Sequence, residues 1–217
     1  MESDHWQRRW QSGRIGFHQN EVARPLTQFW RHLSLPRGST VFVPLCGKSL
    51  DLLWLRDQKH DVVGLELSEI AVEGFFTENG VLARRRAPHH FNEYIASGLR
   101  VLQGDIFKLT PQILEPVAAI YDRASLIAMP PDLQGPYVGK IAELTPAGTQ
   151  TLLVSLEYPQ HEMAGPPFSV DFLSVTRLYS AHHKIQELDR SDILASDALR
   201  SRGITRLHEV CYHLTRS

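Results

Sequence analysis

Two residues of this chain have the types and the spacing of a nucleoside-binding pair. Gly47 lies in a turn after the apolar run 41–45, and Glu66 comes 19 positions later, near the end of a second apolar run. Folds that bind dinucleotides place an acid about 20 residues after their glycine turn, where it bonds to the ribose. A carboxylate at that place can accept hydrogen bonds from both ribose hydroxyls. The pair therefore predicts a site for a nucleoside.

The turn around Gly47 narrows the choice of nucleoside. A dinucleotide site uses three glycines because the backbone must approach a pyrophosphate closely. Here Pro44, Leu45, Cys46, Lys48 and Ser49 surround a single glycine. The turn suits a nucleoside without phosphates, such as S-adenosylmethionine. A plain strand–helix–strand unit, with Glu66 as a surface acid, is the alternative interpretation.

Two further polar residues follow other apolar runs. Asp105 comes shortly after the run 99–102, where its carboxylate could meet the amine of an adenine or could cap a helix. Arg123 follows the run 116–121 and would place a positive charge where the reacting groups meet. An ion pair of Arg123 with Asp122 or with another acid is the alternative.

The elements that must position these residues alternate between strands and helices. Strand 41–45, a helix that Ser49 caps, and strand 62–67 form a parallel strand–helix–strand unit. Apolar patterns predict further helices at 25–33, 68–79, 133–144 and 170–179, and further strands at 99–102, 116–121, 151–156, 184–188 and 206–215. This order predicts an α/β fold of the doubly wound, Rossmann-like type, with a mostly parallel sheet and an antiparallel hairpin at one edge.

The segment 83–98 shows the least regular pattern. It carries three consecutive arginines at 84–86, a proline and two histidines. We interpret this charge cluster as a solvated loop.

The first twenty residues form a distinct segment. Trp6 and Trp10 are four positions apart, so a helix places them on one face, and Gly13 and Gly16 end that helix. Either the tryptophans dock on the core, or residues 1–20 form a lid that folds over a bound ligand.

Composition excludes several classes of protein. A length of 217 residues suits one domain spanning 1–217, and a net charge of −1 does not favour nucleic acid as a partner. No apolar stretch approaches the roughly 18 residues of a membrane span. Two distant cysteines fit a reducing cytosol, and no histidine or cysteine cluster has the spacing of a metal site.

Several motifs together resemble the thiopurine S-methyltransferase family in its bacterial form. They are W-x-x-R-W-x-x-G-x-x-G-F-H-Q at 6–19, VFVPLCGKS at 41–49, VVGLELSE at 62–69, YDRA at 121–124 and GPPF at 165–168. The resemblance covers nearly the whole chain in the order of the family. It is weakest at 84–98 and at 191–202.

This resemblance implies a class I methyltransferase fold with a seven-stranded sheet and helices on both faces. It implies S-adenosylmethionine as cofactor and aromatic or heterocyclic thiols, thiopurines among them, as small-molecule acceptors. Some bacterial relatives are associated with selenium and tellurium compounds. The expected localisation is cytoplasmic, and the expected state is a monomer.

The resemblance also implies roles for individual residues. Cofactor contacts fall on Trp10, Leu45, Glu66 and Arg123, with Ile106 beside the adenine, and Gly47 and Asp105 join them from the pattern above. Phe17 matches a residue on the acceptor side. We expect Arg123 to act in catalysis by holding an anionic acceptor or ordering the site, while Phe17, Met129 and Phe168 form an apolar slot.

Two other functions compete with this one. A nicotinamide-dependent oxidoreductase is disfavoured by the missing glycines. A non-catalytic module would bind S-adenosylmethionine but methylate nothing.

Overall fold

The computed structural model describes residues 3–13, 15, 18–87, 91–194 and 203–217. Its helices are α1 Ser3–Gln11, α2 Arg24–Phe29, α3 Asp51–Asp57, α4 Glu69–Glu78, α5 Pro111–Leu114, α6 Pro131–Leu144 and α7 Phe172–Tyr179. Its strands are β1 Thr40–Val43, β2 Asp61–Glu66, β3 Arg84–Arg86, β4 Asn92–Ala96, β5 Leu99–Gln103, β6 Ala119–Arg123, β7 Gln150–Glu157, β8 His183–Asp192 and β9 His208–Arg216. No helix among these residues is long and apolar enough to cross a membrane.

The strands form one sheet in the order β3-β4-β5-β2-β1-β6-β7-β9-β8. The five central strands run parallel, while β9 and β8 are antiparallel at one edge and β4 and β3 at the other. The chain moves outward from β1 to β2 and β5, and then crosses to β6 on the other side of β1. Ligands of such sheets bind in the crevice at the carboxyl ends of the strands, at this reversal of order.

Parallel strands that are buried on both faces explain the near-continuous apolar runs. Along β1, Phe42 packs into a cluster with α5, α6 and α7, whereas Val41 and Val43 pack into a second cluster with α2, α3 and α4. The doubly wound, mostly parallel sheet with helices on both faces is therefore confirmed, as is the antiparallel hairpin at the β8–β9 edge.

The expected strand number was wrong, because the sheet has nine strands in the described residues instead of seven. The two additional strands, β3 and β4, come from the segment that the sequence indicated as a solvated loop. Arg85 and Arg86 of β3 pair with Glu69 and Glu93, at 2.6 Å in both cases. Charged side chains of this kind protect an edge strand from pairing with another chain. The arginine cluster therefore marks a sheet edge.

Candidate active site

Glu66 lies at the carboxyl end of β2 and bonds directly to the glycine turn. Its Oε2 accepts a hydrogen bond from the Gly47 amide at 2.8 Å, and its Oε1 accepts one from the Ser68 amide at 2.8 Å. Glu66 is only 6% exposed, so it is not a surface acid. Burial raises the pKa of this carboxyl, and the backbone hydrogen bonds from Ser68 and Gly47 oppose that shift.

The turn after β1 has an uncommon backbone. Leu45 adopts φ +46° and Gly47 adopts φ +53°, a region that favours glycine. A Cβ added at Gly47 would lie 3.3 Å from the ring of Trp10, which is itself 8% exposed. Helix α1 thus places the Trp10 ring against the turn. The structure brings Trp10, Leu45, Gly47 and Glu66 together.

One close contact below the turn has no signal in the sequence. A Cβ at Gly64 of β2 would lie 2.9 Å from the Cys46 sulfur, so glycine is needed there for the turn to pack on the strand. Burial raises the pKa of the Cys46 thiol well above its usual range. The thiol is therefore a packing group without nucleophilic character.

Asp105 follows β5, the strand next to β2. Its carboxylate accepts a hydrogen bond from the Phe107 amide at 3.0 Å, so it caps the short 3₁₀ turn Ile106–Lys108. The Gly104 amide donates to the Glu66 carbonyl at 2.9 Å, and Ile106 is 5% exposed. Asp105 and Ile106 thus stand at the strand tip adjacent to Glu66.

Arg123 ends β6, on the other side of β1 from Glu66. Its guanidinium forms an ion pair with Asp51, with 3.6 Å between Nη1 and Oδ2. The neighbouring Asp122 instead accepts a hydrogen bond from the Tyr137 hydroxyl at 2.7 Å. The acid beside Arg123 is therefore Asp51, in the first turn of α3.

Two of the three expected acceptor residues, Met129 and Phe168, lie near the connection after β6. Met129 is 4% exposed and packs in the core. The Phe168 amide donates to the Ile127 carbonyl at 2.6 Å, which fastens the loop after β7 to the segment that carries Met129. Phe17 lies outside the described residues. Among the described residues, no group of three or more His, Cys, Asp or Glu side chains could hold a metal ion.

Comparison with known proteins agrees with this geometry. The sequence model of thiopurine S-methyltransferase matches residues 1–217. The chain belongs to the thiopurine S-methyltransferase family. Proteins of that name from Pseudomonas paraeruginosa and Nitrosomonas eutropha are 45% and 44% identical to it over 217 residues, covering 100% of this chain and 100% and 99% of their own lengths.

Solved structures support the fold of this family member. An S-adenosylmethionine-dependent methyltransferase from Anabaena variabilis superposes with a TM-score of 0.68 at 12% identity, covering 99% of this chain and 95% of the other. The Burkholderia thailandensis 1,6-didemethyltoxoflavin-N1-methyltransferase, solved with S-adenosylhomocysteine, gives 0.66 at 15% identity and covers 99% and 87%. The predicted family, the class I methyltransferase fold and the enzyme class, an S-adenosylmethionine-dependent S-methyltransferase, are confirmed.

Proposed function

We propose that this chain methylates the sulfur of aromatic and heterocyclic thiols, thiopurines among them, with S-adenosylmethionine as donor. The observation that carries the proposal is the 2.8 Å hydrogen bond from the Gly47 amide to Glu66. It joins the glycine turn to the acidic strand tip at the carboxyl edge of the sheet, where such folds bind a nucleoside.

The residues at this edge fit a nucleoside without phosphates. Each Glu66 oxygen accepts one backbone hydrogen bond and keeps a lone pair for a ribose hydroxyl. One side of Gly47 is covered by Trp10, and the turn has no further glycine that would admit a pyrophosphate. We assign the cofactor contacts to Trp10, Leu45, Gly47, Glu66, Asp105, Ile106 and Arg123.

S-adenosylmethionine, when bound, supplies a methyl group that its sulfonium charge already activates. Heteroaromatic thiols ionise readily, so the protein supplies no strong base. Its main contribution is alignment, which contributes up to about 7–11 kcal/mol in favourable systems. Arg123 holds the anionic sulfur acceptor by its charge, while Phe17, Met129 and Phe168 form the apolar slot for its ring.

The N-terminal segment 1–20 acts as the lid of a single methyltransferase domain that spans 1–217. The contact of Trp10 with the Gly47 turn supports this role. Burial and then the charge of Lys48 lower the pKa of the His18 imidazole, so His18 also lies near the turn.

The remaining properties are proposed from the composition and from the resemblance. We propose a cytoplasmic monomer without a nucleic-acid partner. The net charge of −1 offers no excess of basic residues, and both cysteines are free and buried. Selenium and tellurium compounds are proposed as further acceptors on the resemblance alone.

A panel assay tests the proposal directly. The protein is incubated with labelled S-adenosylmethionine and with aryl thiols, thiopurines and selenium oxyanions in separate reactions. We expect labelled S-methyl products from the thiols. Donor binding without any product would favour a non-catalytic module, and quenching of NADH fluorescence on titration would favour an oxidoreductase.

A further inference from the structure

Asp51 is a buried carboxylate that contacts two parts of the crevice at once. Its side chain is 2% exposed and lies in the first turn of α3, directly after the turn that holds Gly47. Its Oδ1 accepts a hydrogen bond from the Ala23 amide at 2.8 Å, and its Oδ2 lies 3.6 Å from the Arg123 guanidinium. One side chain thus joins α3, the start of α2 and the tip of β6.

A charge buried this deeply is destabilising unless it is paired, so Asp51 and Arg123 depend on each other. Arg123 is itself 15% exposed, and Asp51 is the acid within 4.0 Å of it among the described residues. Glu209 of β9 is close enough for the positive charge of Arg123 to oppose the rise that burial causes in the pKa of Glu209. Tyr121 lies on the same side, where burial and then the Asp51 charge raise the pKa of its hydroxyl.

We infer that Asp51 is a positioning residue for the methyl transfer, because it orients Arg123 at the crevice and fastens the root of the N-terminal segment, at Ala23, to the same point. The inference rests on the role proposed for Arg123. A guanidinium without this partner would turn toward Glu209 or toward solvent, and the acceptor would lose its fixed cation. Misplacement of an orienting group by 1 Å can lower a rate by about 100-fold.

A double-mutant cycle between Asp51 and Arg123 tests the inference. Asp51→Asn keeps the volume and an oxygen that can accept from Ala23, but it removes the charge. We expect it to lower kcat/KM for an ionised thiol by about tenfold or more, and to weaken acceptor binding more than it weakens donor binding. Arg123→Met should lower the same constant, and Asp51→Asn should have no further effect in the Arg123→Met background.

The cycle separates this inference from the proposed function. An Arg123→Met enzyme with unchanged kcat/KM would refute the role of Arg123. A large loss from Arg123→Met beside wild-type kinetics for Asp51→Asn would refute the positioning role alone. The same conclusion would follow if the loss of kcat/KM in the double variant equalled the combined losses of the two single variants.

The double variant keeps the test decisive if Asp51→Asn alone does not fold, since removal of both charges leaves neither unpaired. Arg123→Met and Asp51→Asn/Arg123→Met must then have equal kcat/KM, and a difference above about threefold overturns the inference. Asp57→Asn is the matched control, because Asp57 lies on the same helix, is 65% exposed and pairs only with its neighbour Arg56 among the described residues. It should behave as wild type.

Discussion

Two regions of the crevice are built in different ways. The turn region, residues 44–49 with Glu66, is held by hydrogen bonds between a carboxylate and amides within one strand–helix–strand unit. The loop region, residues 124–130 with 158–171, is held by contacts between distant parts of the chain. There the Phe168 amide donates to the Ile127 carbonyl at 2.6 Å, 41 positions earlier, while within the second segment the Tyr158 hydroxyl donates to the Pro167 carbonyl at 2.6 Å.

This difference shows which contacts of the site are determined by spacing in the sequence and which are determined by the packing of whole elements. In the turn region, one helix and one strand return the chain to the same edge, so the distance in sequence determines the meeting of Gly47 and Glu66. In the loop region, α6 and β7 lie between Ile127 and Phe168 in the sequence, so the two residues meet only when these elements have packed. We expect substitutions in the turn region to affect donor binding and substitutions in the loop region to affect the acceptor.

Glu66→Ala should produce the largest effect. It removes the acceptor for the ribose hydroxyls, and loss of both bonds should weaken donor binding by about 2–4 kcal/mol. Calorimetric titration with S-adenosylmethionine measures this loss, and a thermal melt measures the effect of freeing the Gly47 and Ser68 amides. Glu73→Ala, at an exposed acid of α4, is the control. Unaltered donor affinity in Glu66→Ala would rule out the ribose assignment.

Gly165→Ala should disturb the loop region instead. Gly165 has φ +80°, and a Cβ there would lie 2.6 Å from the Phe168 ring, so overpacking of about 1–3 kcal/mol is expected. We predict a raised KM for the thiol acceptor, with donor affinity retained.

Gly148→Ala is a matched control for this substitution, because Gly148 has φ +86° but nothing within 4 Å of an added Cβ. Both variants carry the strain of positive φ, and only Gly165→Ala adds the clash with Phe168. Steady-state kinetics that were the same for the two variants would show that the loop region does not shape the acceptor site.

The two regions also differed in how well the sequence predicted them. The alternation of apolar runs and turn residues was enough to predict the order of the central elements. The spacing of Gly47 and Glu66 was enough to predict that the two residues meet. The sequence does not decide between helix capping and ligand binding for Asp105, and the structure shows that its carboxylate caps the 3₁₀ turn.

Other features could not be predicted because they depend on contacts between separate elements of the fold. The arginines of β3 suggested a solvated loop because their partners Glu69 and Glu93 are not adjacent in sequence. A Cβ at Gly104 would lie 2.4 Å from the Phe91 ring, yet neither residue has a local pattern that indicates this contact. The pairing of Asp51 with Arg123 likewise joins a helix start to a strand tip that the chain reaches much later.

Trp10→Ala should have an intermediate effect and would show whether the N-terminal segment belongs with the turn region. Removal of the ring uncovers Gly47, and we expect donor affinity to fall by about 1–2 kcal/mol, less than the value for full burial of a large apolar side chain. Calorimetry measures the change. Trp6→Ala, one turn earlier on α1, is the control. An equal loss in both variants would mean that α1 contributes to folding without covering the donor.

Substitution of His60 should have the smallest effect on stability, and it serves as a negative control for both regions. His60 precedes β2, so it lies at the opposite end of that strand from Glu66. Its Nε2 accepts a hydrogen bond from the Trp30 indole at 3.1 Å. Burial lowers the pKa of this imidazole from its usual 6.5. Below pH 6.5 the unfolded state therefore binds more protons than the folded state, so stability should fall as the pH drops toward the folded pKa.

His60→Gln removes this titration, so the free energy of unfolding should depend less on pH. Urea unfolding at pH 7.5 and 5.5 should show a difference that is smaller than in wild type by up to about 1 kcal/mol. A slope remains, because burial also lowers the pKa of His183 and His213. Donor affinity at pH 7.5 should be unchanged in His60→Gln, since the residue lies far from Glu66, and a slope equal to wild type would show that His60 does not carry the effect.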